Sequence, residues 1–233
     1  MVDRAGLNDR ERGVGRHYIG ARGATYLDYQ RRFGELGAEL NRWKFAPHLR
    51  ESDAVVDFGC GIGALLERLP AASRCGVEVN EQAAQEARRR GLLVVASAKE
   101  LESQSADVVI SNHALEHTLA PLGELNELHR ILRPGGKLVI WLPIDDWRAQ
   151  RRPAANPDHH LYTWTPLLLA NLLEEAGFEV EESRVVTHAW PPFTSFLARL
   201  PRPLFELMAR FWAVVRRRRQ AMAVARKPGN ETL

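Results

Sequence analysis

Three glycines at alternate positions are the first residues of this 233-residue chain whose spacing could do chemistry. Gly59, Gly61 and Gly63 follow a short apolar run in VVDFGCGIGALLERL and lead into a helix-like pattern. Glycine allows a tight turn and a close approach of backbone to a ligand. The segment alone fits the GxGxxA dinucleotide fingerprint, which is a weak signal, because similar turns serve NAD, FAD, nucleotide phosphates and S-adenosylmethionine.

Asp57, two residues before the first glycine, argues against a dinucleotide. A dinucleotide turn places a pyrophosphate at the helix N-terminus, and a carboxylate at this position repels that anion. A cationic or zwitterionic ligand is compatible with the carboxylate. S-adenosylmethionine carries an ammonium and a sulfonium and has no phosphate, so Asp57 favours it over NAD.

Glu78 lies 21 residues after Asp57, at the end of the next apolar run. A carboxylate in this position can accept hydrogen bonds from both hydroxyls of a ribose. NAD-binding and S-adenosylmethionine-binding proteins share this contact. Glu78 therefore indicates an adenosine ligand without choosing between the two, and a solvated acid at a strand end is the structural alternative.

Apolar runs alternate with helical patterns around these residues, which predicts a parallel sheet covered on both faces. Strands are predicted at 54–58, 74–79, 92–96, 106–111, 137–142, 178–186 and 220–228. Helices are predicted at about 25–49 and at 63–69, 81–90, 121–132 and 165–177, the last with Thr165 as N-cap. The motif RPGG (133–136) is expected to end the fourth of these helices, and residues 1–22 are expected to form a mobile arm.

Five segments occur in the order and spacing of class I S-adenosylmethionine-dependent methyltransferases: VVDFGCGIGALL, GVEVNEQAAQEAR, DVVISNHALEH, LHRILRPGGKLVIWLP and EEAGFEV. The chain resembles this family from Val55 to about Val180, and again in the closing MAVARKP. The resemblance implies an α/β, Rossmann-like sheet of seven strands in the order 3-2-1-4-5-7-6, with the last strand antiparallel and helices on both faces.

The resemblance also implies a cofactor site for S-adenosylmethionine. Asp57 would hold the ammonium, the three glycines would surround the methionyl part, and Glu78 would bind the ribose. Val79 would pack on the adenine, with Ser97 and the backbone of Ala98 near its amino group, although the family often has Asp where Ser97 stands. Asn112 and His113 would line the reactive side of the cofactor. The resemblance further implies a structural role for His117.

Methyl transfer to oxygen or nitrogen requires alignment of the nucleophile and removal of its proton. His113 is the first candidate for a general base because histidine titrates near neutrality, and a polar wall of the cofactor pocket is its alternative role. His160 is the second candidate. Tyr162 and Trp164 form an aromatic wall for a substrate or pack the loop. No metal is expected: Asp145, Asp146, Asp158, His159 and His160 share a loop but lack the close spacing of a metal motif.

Composition and charge limit the partners. From Arg199 onward nine basic and two acidic residues give +7, so residues 1–198 carry −4 within the net charge of +3. This asymmetry disfavours nucleic-acid binding by the main domain. Two cysteines, Cys60 and Cys75, and a polar N-terminus predict a cytoplasmic protein.

The segment 193–219 is predicted to be a helical insert between the last two strands. Six apolar residues share one face of its helix: Leu204, Leu207, Met208, Phe211, Trp212 and Val215. Two interpretations stay open. The insert packs on its own domain or on a second copy in a homodimer, or it contacts a membrane, with Arg216 to Arg219 attracted to anionic lipid.

These observations predict an N-terminal arm and helix (1–50) followed by a methyltransferase domain (51–233). The predicted reaction moves the methyl group of S-adenosylmethionine to a small-molecule, glycan or lipid-linked acceptor, first of all at oxygen. An NAD-dependent oxidoreductase and a non-catalytic cofactor-binding scaffold are the alternatives.

Overall fold

The computed structural model describes residues 18, 20–31, 34–145 and 159–229. Seven strands form one sheet in the order β3-β2-β1-β4-β5-β7-β6. The strands are β1 (Ala54–Phe58), β2 (Ser73–Val77), β3 (Leu93–Val95), β4 (Ala106–Asn112), β5 (Leu132–Ile144), β6 (Glu179–Val186) and β7 (Arg219–Arg226). The first five are parallel, and β7 is antiparallel to both β5 and β6. The predicted strand order and orientation are confirmed.

Helices cover both faces of this sheet. They are α1 (Gly20–Arg31), α2 (Gly34–Asn41), α3 (Ala64–Glu67), α4 (Glu81–Arg89), α5 (Pro121–Ile131), α6 (Pro166–Glu175), α7 (Thr194–Leu197) and α8 (Arg202–Val215). Alternate strand residues enter two separate cores: Leu138 and Ile140 pack on one side of β5, whereas Val139 and Trp141 pack on the other. This is the two-sided burial expected of a central parallel strand.

Two predicted boundaries were wrong. Helix α5 ends at Ile131, next to the predicted RPGG stop, but β5 begins at Leu132 and not at 137. The motif is included in β5, and the pairing with β4 skips it between Leu132 and Lys137. Gly135 there has φ +77° and donates its N–H to the Lys227 carbonyl, so the motif pairs with the chain beyond β7. The helix predicted at about 25–49 is divided into α1, α2 and two 3₁₀ turns (Arg42–Lys44 and Ala46–His48).

The segment between β6 and β7 is helical, but its predicted apolar face is not the buried one. Helix α8 buries Phe205, Ala209 and Ala213, which lie at i, i+4 and i+8. Phe205 and Ala209 pack with Leu40 of α2 in a small third core. Most of the predicted stripe is exposed, including Leu204, Leu207, Phe211 and Val215. Within the described ranges, no helix is both long and apolar enough to cross a lipid bilayer.

Candidate active site

Two adjoining clefts open where β1, β2 and β4 end, at the edge of the sheet where parallel α/β proteins bind ligands. The first cleft is lined by Gly59, Glu78, Val79, Ser97, His113 and His117, among others. The second is lined by Asp57, Gly59, Gly61, Asn112, His113 and His160, among others. The structure therefore brings most of the predicted site residues together around two connected spaces.

Glu78 lines the first cleft, and two backbone N–H groups hold its carboxylate. One carboxylate oxygen accepts the Gly61 N–H at 2.8 Å, and the other accepts the Asn80 N–H at 2.7 Å. Burial raises the pKa of Glu78, while these backbone donors act in the opposite direction. Each carboxylate oxygen can accept a second hydrogen bond, so the group keeps acceptor capacity for two ligand hydroxyls.

Asp57 is buried, with 3% of its surface exposed, and it lines the second cleft. Burial first, and the Glu78 charge second, raise the pKa of Asp57 to about 7. Among the described residues, no side chain or backbone N–H donates a hydrogen bond to its carboxylate. A ligand that brings a positive charge or an N–H donor to this position satisfies the group, whereas a pyrophosphate does not.

The three glycines have different roles. Gly59, Gly61 and Gly63 all have positive φ values, between +55° and +80°, which L side chains rarely adopt. A Cβ on Gly59 would lie 2.4 Å from the Ala114 Cβ, and a Cβ on Gly63 would lie 2.4 Å from Leu92 Cδ1. Gly59 and Gly61 line the second cleft, but Gly63 is not among the described lining residues of either cleft. Gly63 therefore permits close packing against Leu92 and Ala87 behind the turn.

The other end of the first cleft contains the residues predicted to meet an adenine. Val79 and Ser97 line it, whereas Ala98 is fully buried in the core next to it. Ser97 caps the 3₁₀ turn Ala98–Glu100: its hydroxyl accepts the Lys99 N–H, and its own N–H donates to Glu100. This local engagement leaves the Ser97 hydroxyl less available as an acceptor than the aspartate common in the family.

A third cleft adjoins the second and contains a buried polar network that the sequence analysis missed. Lys44 donates to Asn112 Oδ1 at 3.0 Å and to Gln220 Oε1 at 2.8 Å. Gln220 also donates its amide N–H to the His188 carbonyl, which fixes the orientation of the amide. Burial lowers the pKa of Lys44 to about 7. The sequence signal was a polar residue inside an apolar stretch, as Lys44 in RWKFA and Gln220 ahead of AMAVA both are.

His113 belongs to this network. Because the fixed Gln220 oxygen is an acceptor, His113 Nε2–H donates to it at 3.0 Å. Burial, followed by the nearby charge of Lys44, lowers the pKa of His113 to about 3. The imidazole is therefore neutral near pH 7 and a weak base in the protein without ligand. Its catalytic role stays a prediction.

His160 lies beside a carboxylate, whereas His113 lies beside the Lys44 cation. Its Nδ1 lies 2.9 Å from a carboxylate oxygen of Asp145, and this hydrogen bond is the main cause that lowers the pKa of Asp145. The ionised carboxylate accepts Nδ1–H, which leaves Nε2 as the basic nitrogen. His160 lines both the second and the third cleft. Asp146 and Asp158 of the same loop lie outside the described residues.

Tyr162 and Trp164 belong mainly to the packing of this loop. Trp164 is buried in the core, and its ring lies 6.0 Å from that of Tyr162. The Tyr162 hydroxyl donates to the Leu119 carbonyl at 3.3 Å. Neither residue is among the described lining residues of the three clefts.

Comparison with known proteins identifies the family. The chain matches the methyltransferase domain family over residues 28–183, which is more than half of its length. It is 30% identical over 128 residues to malonyl-[acyl-carrier protein] O-methyltransferase of Marinomonas sp. (strain MWYL1), covering 50% of this chain and 45% of that protein. It is 33% identical over 88 residues to a protein of Mycolicibacterium smegmatis named a probable S-adenosylmethionine-dependent methyltransferase, covering 38% of this chain and 34% of that protein. The chain thus aligns with less than half the length of either relative.

A solved complex supports the fold assignment. It pairs the Trm112 methyltransferase activator of Haloferax volcanii with a methyltransferase, and the match has a TM-score of 0.60 at 20% identity. The match covers 87% of this chain and 97% of that chain. At this identity the likeness shows a shared fold.

The site fits the cofactor of this family. The buried carboxylate of Asp57 and the half-buried carboxylate of Glu78 face spaces that also receive the glycine turn. These two carboxylates suit a ligand with an ammonium, a sulfonium and two ribose hydroxyls. They repel the pyrophosphate that the oxidoreductase alternative needs. The chain belongs to the class I S-adenosylmethionine-dependent methyltransferase family, with S-adenosylmethionine as its cofactor.

Proposed function

We propose that this protein transfers the methyl group of S-adenosylmethionine to an oxygen atom of a small-molecule, glycan or lipid-linked acceptor. The observation that carries the proposal is the position of His160, on the wall shared by the cofactor-side second cleft and the third cleft. An acceptor in the third cleft would then have a basic nitrogen beside it and the cofactor in front of it.

The cofactor contacts follow from the chemistry of the lining residues. Asp57 receives the ammonium, Gly59 and Gly61 allow the close approach of the methionyl part, and Glu78 accepts the ribose hydroxyls. Val79, Ser97 and the neighbouring Ala98 surround the adenine, with Asn112 and His113 on the reactive side. When bound, S-adenosylmethionine supplies an electrophilic methyl carbon on a sulfonium: an acceptor oxygen would form a bond to this carbon as the carbon–sulfur bond breaks, with S-adenosylhomocysteine as the leaving group.

His160 assists deprotonation of the acceptor. In its neutral form the imidazole takes the acceptor proton at Nε2, while Asp145 holds Nδ1–H and stabilises the imidazolium that forms. His113, fixed by Gln220, orients ligands at the boundary of the clefts. A positioned general base contributes about 10²- to 10⁴-fold to a rate.

The decisive experiment is a methyl-transfer assay on cell extracts with isotopically labelled S-adenosylmethionine, followed by mass spectrometry of the labelled products. Once the acceptor is known, His160→Ala is expected to lower kcat at least about 100-fold with cofactor affinity unchanged. His159→Ala is the matched control and should retain wild-type turnover. Unchanged turnover in His160→Ala removes its role, and a similar loss in His113→Ala would assign the base to that residue.

The assay also tests the scaffold alternative. A protein that binds S-adenosylmethionine in a thermal-shift measurement but labels nothing in extracts would support a non-catalytic scaffold. Binding to the native state raises the midpoint of thermal unfolding, so cofactor binding is measured independently of catalysis.

An exposed apolar surface favours a lipid-linked acceptor and contact with an anionic membrane. Phe193, Phe196, Leu207, Phe211 and Val214 are between 63% and 84% exposed on α7, α8 and the turn before them. Exposed arginines flank this surface: Arg199, Arg210 and Arg216 to Arg219. Two of these, Arg218 and Arg219, also line the third cleft, so the apolar surface adjoins the proposed acceptor site. Exposed apolar area combined with arginines is typical of peripheral membrane binding.

Vesicle sedimentation separates a membrane from a second copy of the chain. Binding to phosphatidylglycerol vesicles, little binding to phosphatidylcholine vesicles, and a marked loss in Phe211→Glu would support membrane contact. Leu168→Glu is the control, since Leu168 is 54% exposed on α6. No binding to either vesicle, together with a dimer in analytical ultracentrifugation that Phe211→Glu dissociates, would instead assign the surface to a homodimer.

Three further assignments stay proposals: a domain boundary near residue 50, a cytoplasmic location and the absence of nucleic-acid partners. The second rests on the free thiols of Cys60 and Cys75. The third rests on the concentration of positive charge after residue 198.

A further inference from the structure

A histidine–carboxylate cluster lies on the wall of the second cleft. Glu116 and His117 lie in a 3₁₀ turn after β4 (Leu115–His117), and His160 lies in the segment after β5. One ligand-type atom from each residue lies within 4.8 Å of the other two. We infer that Glu116, His117 and His160 bind a divalent first-row transition cation of the Zn²⁺ type.

Each histidine is held by its other ring nitrogen. His160 Nδ1–H donates to Asp145, so its Nε2 carries a lone pair. His117 Nδ1 lies 2.6 Å from the Tyr18 hydroxyl, and that hydroxyl donates to the His159 carbonyl at 3.4 Å. The contact with Tyr18 occupies Nδ1, and Nε2 is the ring nitrogen of His117 that faces the Glu116 carboxylate. Second partners of this kind fix the tautomer and orientation of metal-binding histidines.

The third ligand is a buried carboxylate. Glu116 is fully buried, and its carboxylate oxygen lies 3.7 Å from His117 Nε2. The Leu161 and Tyr162 N–H groups donate to the Glu116 carbonyl at 2.9 and 3.3 Å, which ties the segment carrying His160 to the turn carrying Glu116. Two histidines and a carboxylate thus converge, with one ligand-type atom of each within 4.8 Å of the other two. Ligand atoms of one Zn²⁺ lie about 3.4 Å apart, so the cluster contracts by up to about 1.4 Å on binding.

The ligand types favour a transition cation over Mg²⁺ or Ca²⁺. Imidazole suits zinc, iron, nickel and copper, whereas Mg²⁺ and Ca²⁺ prefer oxygen. Two histidines and one carboxylate leave an open position for an exogenous oxygen, as in catalytic zinc sites. All three ligand residues line the second cleft, and His160 also lines the third cleft, where the acceptor is proposed to bind.

The binding of the cation is independent of the proposed function, whereas its role rests on that function. An acceptor hydroxyl that coordinates the cation loses its proton to water more readily, because the charge lowers its pKa. The oxygen lone pair then forms a bond to the methyl carbon, and the electrons of the carbon–sulfur bond go to the sulfur. In this form His160 assists deprotonation as a ligand.

Metal binding is measured on the full chain without a tag, after removal of metal with EDTA and dialysis. Titration with Zn²⁺ against a chromophoric chelator should give one equivalent, and Co²⁺ should give visible absorption bands of a protein-bound ion. His160→Ala and His117→Ala should each abolish the stoichiometric site. Asp145→Asn, which leaves the ligands intact, should weaken it about 10- to 100-fold.

His159→Ala is the control for adventitious binding by neighbouring histidines, and it should bind Zn²⁺ like the wild type. Circular dichroism of each variant establishes that loss of binding is not loss of fold. The inference is overturned if no stoichiometric site is found, or if His160→Ala binds as tightly as the wild type. Zn²⁺ binding without any methyl transfer would contradict the proposed function alone, and full turnover of the EDTA-treated enzyme would contradict the catalytic role of the cation.

Discussion

Asp57 allows the sharpest test of the cofactor site, because the same carboxylate should destabilise the empty protein and hold the ligand. It is buried, and its pKa is raised to about 7 from an ordinary value of 3.8. Between these two pH values the folded protein holds a proton that the unfolded chain has lost. Stability therefore falls as the pH rises from about 4 to about 7, and the full penalty is present above pH 7. Asp57→Asn removes this dependence.

The magnitude follows from the two pKa values. Their difference of about 3 pH units corresponds to about 4 kcal/mol at pH 8, at about 1.4 kcal/mol per unit. At pH 5 the destabilisation by Asp57, which has built up from pH 3.8 to pH 5, is about 1.7 kcal/mol. The wild type should thus lose about 2 to 3 kcal/mol of unfolding free energy between pH 5 and pH 8 that the variant keeps. The test is the change of unfolding free energy with pH and not its absolute value, because the buried amide of the variant has a desolvation cost of its own.

Cofactor affinity should rise with pH, whereas the stability of the empty protein falls. The ammonium of S-adenosylmethionine favours the ionised carboxylate, so wild-type affinity should fall by up to about tenfold per pH unit below pH 7. Asp57→Asn should bind far more weakly at pH 8, and its affinity should lack this dependence on Asp57. The variant is expected to be the more stable and the less active protein.

The measurements are urea unfolding without cofactor at pH 5 and pH 8, and calorimetric titration with S-adenosylmethionine at both pH values. Asp28→Asn is the control, because Asp28 is an exposed residue of α1 with 71% of its side-chain surface accessible. A variant with the same loss of stability between pH 5 and pH 8 as the wild type would refute the argument from burial. Undiminished cofactor affinity at pH 8 would refute the assignment of Asp57 to the ammonium.

Three shorter predictions concern other parts of the site. Gly91→Ala should cost about 1–2 kcal/mol of unfolding free energy from its positive φ alone, since a Cβ there meets nothing within 4 Å. Gly59→Ala should cost about 1–3 kcal/mol more because its Cβ collides with Ala114, and equal losses in urea unfolding would contradict this comparison. Glu78→Gln should weaken S-adenosylmethionine binding about 10- to 100-fold in calorimetry, and near-wild-type affinity would remove the charged ribose contact. Lys44→Met should abolish a rise in stability between pH 7 and about 10.5, because the folded pKa is lowered to about 7; a wild-type rise in the variant would show that Lys44 is not its source.

The cofactor half of the site was predictable because it is local in sequence. β1 was predicted at 54–58 and is found at Ala54–Phe58, and Asp57, Gly59 and Glu78 take their positions from the ends of two adjacent strands. Strand ends, glycine spacing and charge are all visible in a short segment. The strand order is not local, and its prediction came from the resemblance to the family.

The insert shows where periodicity alone is insufficient. A helix with two apolar stripes can bury either of them, and the choice depends on the surface that it meets. Helix α8 meets Leu40, and it turns the narrower Phe205–Ala209–Ala213 stripe toward that surface. The wider stripe is left exposed, and this exposed apolar area is the basis for the proposed membrane contact.

The acceptor half of the site depends on contacts between distant residues, and the two histidines show the consequence. His113 and His160 are the same residue type, and both line the second and third clefts. Burial beside Lys44 lowers the pKa of His113 to about 3 and fixes it as a donor to Gln220. His160 instead meets the carboxylate of Asp145, which stabilises an imidazolium or a bound cation. Acid–base roles follow from such partners more than from the residue type, and for this reason we propose His160, and not His113, as the residue that assists deprotonation.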